Sequence, residues 1–252
     1  MLKKERYRAF VNYFSINHPE AKTELNYCNP FELLVAVILS AQCTDKRINR
    51  ITPPLFQKYP TAYHLADAGT HEVFEYIKSV SYPNNKAKYL VGMAKLLTTE
   101  FQGRVPSSIE DLQKMPGVGR KTANVITSIV YEAPALAVDT HVFRVANRLG
   151  LTTNAKTPLA VEKQLVQHLQ QETIRHAHHW LILHGRYICV ARNPKCEICP
   201  ITYFCKYYEN LEKLQAKART ETEKSSGNLK AMKKIGRELK KRIGKNSNKI
   251  NF

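Results

Sequence analysis

The turn Met115-Pro116-Gly117-Val118-Gly119 constrains this chain more than any other stretch, because helix signals stand on both sides of it. Before it, Ser107-Ser108-Ile109-Glu110-Asp111-Leu112-Gln113-Lys114 opens with hydroxyl caps and acids, as a helix start should. After it, Thr122-Ala123-Asn124-Val125-Ile126-Thr127-Ser128-Ile129-Val130 carries apolar residues at helical spacing. Pro116 ends the first helix, while Gly117 and Gly119 permit backbone angles and close approaches that a side chain would block. The pattern predicts a helix-hairpin-helix. Its second helix would present unpaired amides beside two cations, Arg120 and Lys121, an arrangement suited to a phosphate.

A nucleotide-binding P-loop does not account for this stretch. That motif needs Gly-x-x-x-x-Gly-Lys-Ser/Thr, whereas Arg120 separates Gly119 from Lys121 and Lys114 stands where the first glycine belongs. Taken alone, the segment also fits an ordinary helix pair with a solvated lysine. The charge balance favours an acidic polymer as partner: the chain of 252 residues carries a formal net charge of +18. Residues 211–252 hold 13 Lys or Arg against 4 acids, and the preceding 210 hold 26 against 17, so the body is basic without its tail. The charged start Met1-Leu2-Lys3-Lys4 leads into no apolar signal run. The strongest apolar stretch, Leu33-Leu34-Val35-Ala36-Val37-Ile38-Leu39, is too short for a bilayer core of roughly 30 Å and reads as a buried helix. A cytoplasmic protein with reduced thiols and no membrane contact is expected.

Four of the six cysteines, Cys189, Cys196, Cys199 and Cys205, follow one another as Cys-x6-Cys-x2-Cys-x5-Cys. In a reducing compartment so dense a set argues for metal rather than disulfides. Structural zinc and a four-iron cluster both remain open on spacing; the single Cys-x2-Cys pair, where zinc ribbons show two, leans toward iron. Arg192 and Lys195 lie within the first interval and would tip a pinned loop with cations, either for phosphate contact or to compensate thiolate charge. Cys28 and Cys43 lack partners at metal spacing and are expected as free core thiols. His178, His179 and His184 are expected to pack near Trp180, and prolines at 30, 53, 54, 60, 83, 106, 116, 134 and 158 to punctuate a chain of helices.

Met115 to Ala123, then Ala137-Val138-Asp139-Thr140-His141, then the cysteine quartet, together resemble the endonuclease III branch of the helix-hairpin-helix DNA glycosylases. Ser40-Ala41-Gln42-Cys43-Thr44-Asp45 and His178-His179-Trp180-Leu181-Ile182-Leu183-His184-Gly185-Arg186 add to the likeness, which spans about residues 1–210. The resemblance implies an all-α fold of two helical lobes with a [4Fe-4S] cluster loop. One lobe would comprise 23–134, with the hairpin at about 107–131; the other would comprise 1–22 plus 135–210, with DNA held between them. The basic tail, 211–252, lies outside the likeness and is expected to be disordered or partly helical through Leu229, Met232, Ile235, Leu239 and Ile243.

The implied activity is base-excision repair: a bifunctional DNA N-glycosylase and abasic-site lyase acting, as a monomer, on double-stranded DNA with oxidised pyrimidines or abasic sites. Through that DNA it would be associated with the nucleoid. Lys121 would attack C1′, expel the base and leave a Schiff base from which β-elimination cuts the strand. An ordinary lysine is only about 0.04% neutral at pH 7, and only the neutral amine attacks carbon. Enclosure between the lobes is expected to supply the needed surroundings. Asp139 aligns with the family's catalytic aspartate; its residue type and position also make it the N-cap of the helix that follows, and the two roles are compatible.

By the same likeness Gln42 would fill the gap left by the extruded base, and Tyr82 would wedge the stack, where the family carries Gly-Leu in place of Ser81-Tyr82. Gly117, Gly119, Arg120, Arg192 and Lys195 complete the expected DNA contacts; Thr122 and His141 are expected at the pocket. Cys189, Cys196, Cys199 and Cys205 would hold the cluster. Two rivals remain. A mismatch adenine glycosylase would lack lysine at position 121 and need an early carboxylate near Gln42; a noncatalytic iron–sulfur DNA-binding module would need neither Lys121 nor Asp139.

Overall fold

The computed structural model describes residues 1–219, which are helical without a strand among them. The apolar repeat from Leu229 to Ile243 lies outside the described residues. The chain divides into two units, Met1–Phe204 and Cys205–Phe252. In the second, residues 206–219 are helical and Lys213 pairs with Glu209 one turn earlier, at 2.7 Å.

The first unit is built around α2 (Pro30–Ser40). Pro30 starts that helix, and the Asn29 side chain accepts the Glu32 amide at 3.0 Å. Seven consecutive residues, Leu33 to Leu39, are buried, so this helix is apolar all round and must be surrounded. Helices α3 (Asp45–Lys58), α6 (Pro83–Glu100) and α8 (Arg120–Val130) surround it. Helices α4 (Ala62–Ala66) and α5 (Thr70–Ile77) close over α6, and α7 (Ile109–Lys114) packs on α8. The buried apolar residues from Leu25 to Ile126 form one cluster. Each fully buried leucine in it contributes roughly 1.5–3 kcal/mol.

Pro30 and Pro83, and Pro158 later, stand in first turns as expected, but Pro53 and Pro54 do not punctuate anything: they lie inside α3. Their rings are on the exposed face, so the carbonyls left without a donor can meet water. The opposite face, Ile48, Ile51, Thr52 and Leu55, is buried and holds the helix across the interruption.

The N-terminal helix α1 (Lys3–Asn17) packs instead against α11 (Gln171–Tyr187). Phe14 stacks on Trp180 with ring centroids 5.7 Å apart, and Phe10 meets the same indole edge-on. Helix α9 (Thr140–Leu149) crosses α11 at Gly185, where a Cβ would come within 2.9 Å of His141 Cβ and Val145 Cγ2. Only glycine permits that approach. Helix α10 (Pro158–His168), capped by Thr157, packs on both α9 and α11. No helix among the described residues is long and apolar enough to cross a membrane.

Candidate active site

The hairpin forms as its residues dictate. Ser108 caps α7 by accepting the Asp111 amide at 3.2 Å, and the helix ends at Lys114 before Pro116. Met115 and Val118 are buried and anchor the turn, which closes through the Val118 amide on the Met115 carbonyl at 3.1 Å. Gly117 adopts φ +80°, and a Cβ there would stand 2.9 Å from Tyr89 Cβ. Gly119 differs: an added Cβ would meet nothing within 4 Å, so its bare backbone faces open space. As the residue before α8 it supplies no side-chain cap, and the first amides of that helix remain available to a ligand.

Lys121 leaves the first turn of α8, and Asp139 stands at the start of α9. The run Ala135 to Val138 is buried and carries the chain to Asp139, whose Oδ1 accepts the amides of His141 and Val142, both at 2.8 Å. The cap expected from sequence is therefore made. Buried His178 fixes the approach to it: Nδ1 lies 2.8 Å from the Ala137 carbonyl, which only accepts, so Nδ1 carries the proton and donates. Burial pushes the His178 imidazolium down to about 4, which keeps the ring neutral at physiological pH.

Two cavities meet at these residues. The smaller, about 150 Å³, has apolar walls that include Leu25, Val37, Val125, Ile129, Ile182 and Leu183; Thr122 and His178 also line it. The larger, about 910 Å³, is an open groove reaching Gln42, His141, Phe143 and Lys156. Ser40, Asp45, Lys121, Asp139 and Arg186 line both, forming a waist between chamber and groove. Lys121 is exposed there rather than enclosed, so the shelter expected for its amine is not supplied by this chain alone.

In the same lining, the Arg186 Nη1 donates to Glu24 Oε2 and, at 2.8 Å, to Asp45 Oδ2; the Tyr187 hydroxyl donates to Glu24 Oε1 at 2.5 Å. Sequence reasoning did not single out Arg186 for this. Arg120 is also engaged: its Nη2 meets Glu162 Oε1 at 2.5 Å and its Nε meets Oε2 at 3.3 Å.

Gln42 and Tyr82 are both exposed and share φ of 56°, a left-handed backbone that costs a non-glycine residue energy unless its surroundings hold it. The surroundings do. Ser81 Oγ donates to the Gln42 carbonyl at 2.8 Å, and Arg47 Nη1 to the Ser79 carbonyl at 2.5 Å. Lys86 Nζ donates to the carbonyls of Leu39 and Ala41, at 2.8 and 2.6 Å, ending α2. Lys86 is 4% exposed, and burial lowers its pKa below the ordinary lysine value. These ties place the Gln42 and Tyr82 segments side by side, with Gln42 lining the groove and Tyr82 outside both cavities. Cys43 is half-buried near Ser81 and packs against the core as expected, whereas Cys28 is exposed in the loop before α2 and is not a core thiol.

Arg192 and Lys195 are exposed on the loop between Cys189 and Cys196, with Asn193 at φ 51°. The loop is held at its base by the Lys195 amide on the Ile188 carbonyl (3.0 Å) and by Arg148 on the carbonyls of Val190 and Ala191 (2.8 and 2.9 Å). Cys189 and Cys205 are buried, and Cys196 and Cys199 are half-buried. Arg148 Nη1 lies 3.4 Å from Cys189 Sγ, and His184 Nε2 3.8 Å from Cys199 Sγ; such N–H neighbours suit thiolates bound to a larger, anionic cluster.

Comparison with known proteins agrees with this geometry. Residues 35–171 match the family described as HhH-GPD superfamily base excision DNA repair protein, and residues 189–205 match the iron-sulfur binding domain of endonuclease III. The chain is 52% identical to endonuclease III of Rickettsia conorii over 79% of its own length and 94% of the relative's. It is 50% identical to that of Rickettsia felis, over 78% and 92%. Among solved structures, a trapped endonuclease III–DNA covalent intermediate superposes with a TM-score of 0.79 at 40% identity, covering 84% of this chain and all of that one.

Proposed function

This chain belongs to the endonuclease III family of HhH-GPD base excision DNA repair proteins, and we propose that Lys121 and Asp139 carry its chemistry. It is a DNA glycosylase and abasic-site lyase, and it carries a [4Fe-4S] cluster. In our reading the DNA backbone lies along the groove, against the first amides of α8 and the bare backbone of Gly117 and Gly119. The damaged nucleotide swings through the waist, so that its base enters the small chamber, past Thr122, while His141 borders the sugar. Gln42 enters the gap left in the duplex, and Tyr82 stacks beside it. Unstacking costs a few kcal/mol, least for a damaged pair. Oxidised pyrimidines and abasic sites are the substrates, and one protein molecule acts at a time, in the cytoplasm on nucleoid DNA.

The neutral Lys121 amine attacks C1′, and the C1′–N bond breaks as the base departs with its electron pair and takes up a proton. Opening of the sugar gives an iminium; loss of a C2′ proton then expels the 3′ phosphate oxygen and cuts the strand. Asp139, oriented by its two amides, stabilises positive charge on the sugar and relays protons. DNA in the groove supplies the enclosure that the free protein lacks. Cys189, Cys196, Cys199 and Cys205 would hold the cluster, which when bound would pin the 189–205 loop that carries Arg192 and Lys195 toward phosphate. The lobes are taken as 23–134 and 1–22 plus 135–210.

The observation carrying this reading is that Lys121 and Asp139, from the starts of separate helices, line both the open groove and the smaller, largely apolar chamber. Borohydride trapping on a thymine-glycol or abasic duplex tests it. The wild-type protein should form a covalent adduct and Lys121→Gln none, while Asp139→Asn keeps duplex affinity but loses most turnover. Base release at the wild-type rate from Lys121→Gln would overturn it.

A further inference from the structure

The Arg186 guanidinium is held more firmly than a structural ion pair requires, and it is not fully used. A guanidinium has five N–H donors. Glu24 and Asp45 both take from Nη1, and the Tyr187 hydroxyl lies beside the same guanidinium; Nε and Nη2 have no carboxylate partner among the described residues. Those donors are not sealed in the protein: the Arg186 side chain is 30% exposed, and the buried side-chain polar atom left unpartnered among the described residues is Ser128 Oγ. The residue lines both cavities together with Lys121 and Asp139.

Charge decides what such donors suit. Two carboxylates on one guanidinium cancel its positive charge and more, so this position does not attract a phosphate. What remains is a rigid, planar set of N–H groups beside a chamber with largely apolar walls, which suits the neutral oxygens of a heterocycle. We propose that Arg186 is a specificity-determining residue that donates, through Nε and Nη2, to carbonyl or hydroxyl oxygens of the extruded pyrimidine lesion. Glu24 and Asp45 act as its positioning residues, fixing the fork without adding net positive charge. This rests on the reading that the chamber receives the base.

The alternative is a plain clasp joining the segment at Glu24 to α3 and α11. The two differ in one measurable ratio. An abasic site has no base to read, so a base-reading residue serves base release and not β-elimination. With full-length, cluster-loaded protein, single-turnover base release from a thymine-glycol duplex and strand cleavage at a preformed abasic site are compared for each variant. Arg186→Lys keeps a cation between the carboxylates but loses the fork; its ratio of base release to abasic cleavage should fall roughly ten- to hundredfold, as for loss of a bidentate contact. Glu24→Gln, which loosens the clasp and keeps the fork, should lower the ratio less. An Arg186→Lys ratio equal to that of the wild type, whether both rates fall together or neither falls, would overturn the proposal. So would an equal drop in ratio for Glu24→Gln. If wild-type protein cleaved neither substrate, the enzymatic reading of the whole site would fall with it.

Discussion

Asp139 directs a single oxygen at structure, since both α9 amides go to Oδ1. Its approach is steadied by His178, and that neighbour carries a measurable cost in acid. In the unfolded chain a histidine titrates near 6.5, whereas here burial holds the group down to about 4. Between those values the unfolded chain binds the extra proton, so stability rises with pH across the window and is lost as pH falls below about 6.5. A shift of this size is worth about 2 kcal/mol between pH 7 and pH 5. Urea unfolding midpoints at the two pH values should therefore fall further for the wild type than for His178→Asn, which can still donate to the Ala137 carbonyl. Equal falls would show that His178 does not contribute to the acid loss.

The residues that sequence reasoning could find are those whose neighbours lie close along the chain. Asp139 has its amides two and three positions on, and the hairpin residues cap or break the helices they adjoin. Lys86 and Arg186 were invisible for the opposite reason. A charged residue on a helix reads as solvated, and their partners, Leu39 and Glu24, are 47 and 162 positions away. Nothing local marks such a pairing.

Among elements, the placement of Asp139 depends on how closely α9 passes α11. At Gly185 the crossing is tight enough that any Cβ would press on both His141 and Val145, the second and sixth residues of α9. Overpacking of this kind costs about 1–3 kcal/mol and moves the softer partner. Gly185→Ala should thus lower the unfolding free energy by about that amount, and its single-turnover base release should fall more than its affinity for an abasic duplex, because displacement of α9 shifts the carboxylate relative to Lys121. Chemical denaturation and fluorescence anisotropy measure the two effects; a variant weakened only in binding would contradict the link. Helix α2 was readable because it is uniformly apolar, but α3 was not: its prolines signal a break, and only the buried row Ile48, Ile51, Thr52, Leu55 shows why the helix survives. A period can be read from sequence, whereas the tertiary packing that outweighs a local breaker cannot.

At the scale of the whole molecule, a basic chain faces a polyanion, and its affinity is governed by how many cations are free to replace the ions condensed on DNA. Arg120 is not free. The Glu162 carboxylate already occupies it, 2.5 Å from Nη2, beside the exposed amine of Lys121. If Arg120 meets a phosphate, as proposed, one anion is traded for another there, and the position would displace fewer sodium or potassium ions than an unattached arginine. Freed by Glu162→Gln, it should bind undamaged duplex more tightly in dilute buffer, with a logarithmic salt slope steeper by about one; a slope parallel to that of the wild type would rule this out. An internal carboxylate so placed would make the enzyme let go of ordinary DNA more readily, which helps a protein that must inspect many intact base pairs for each damaged one.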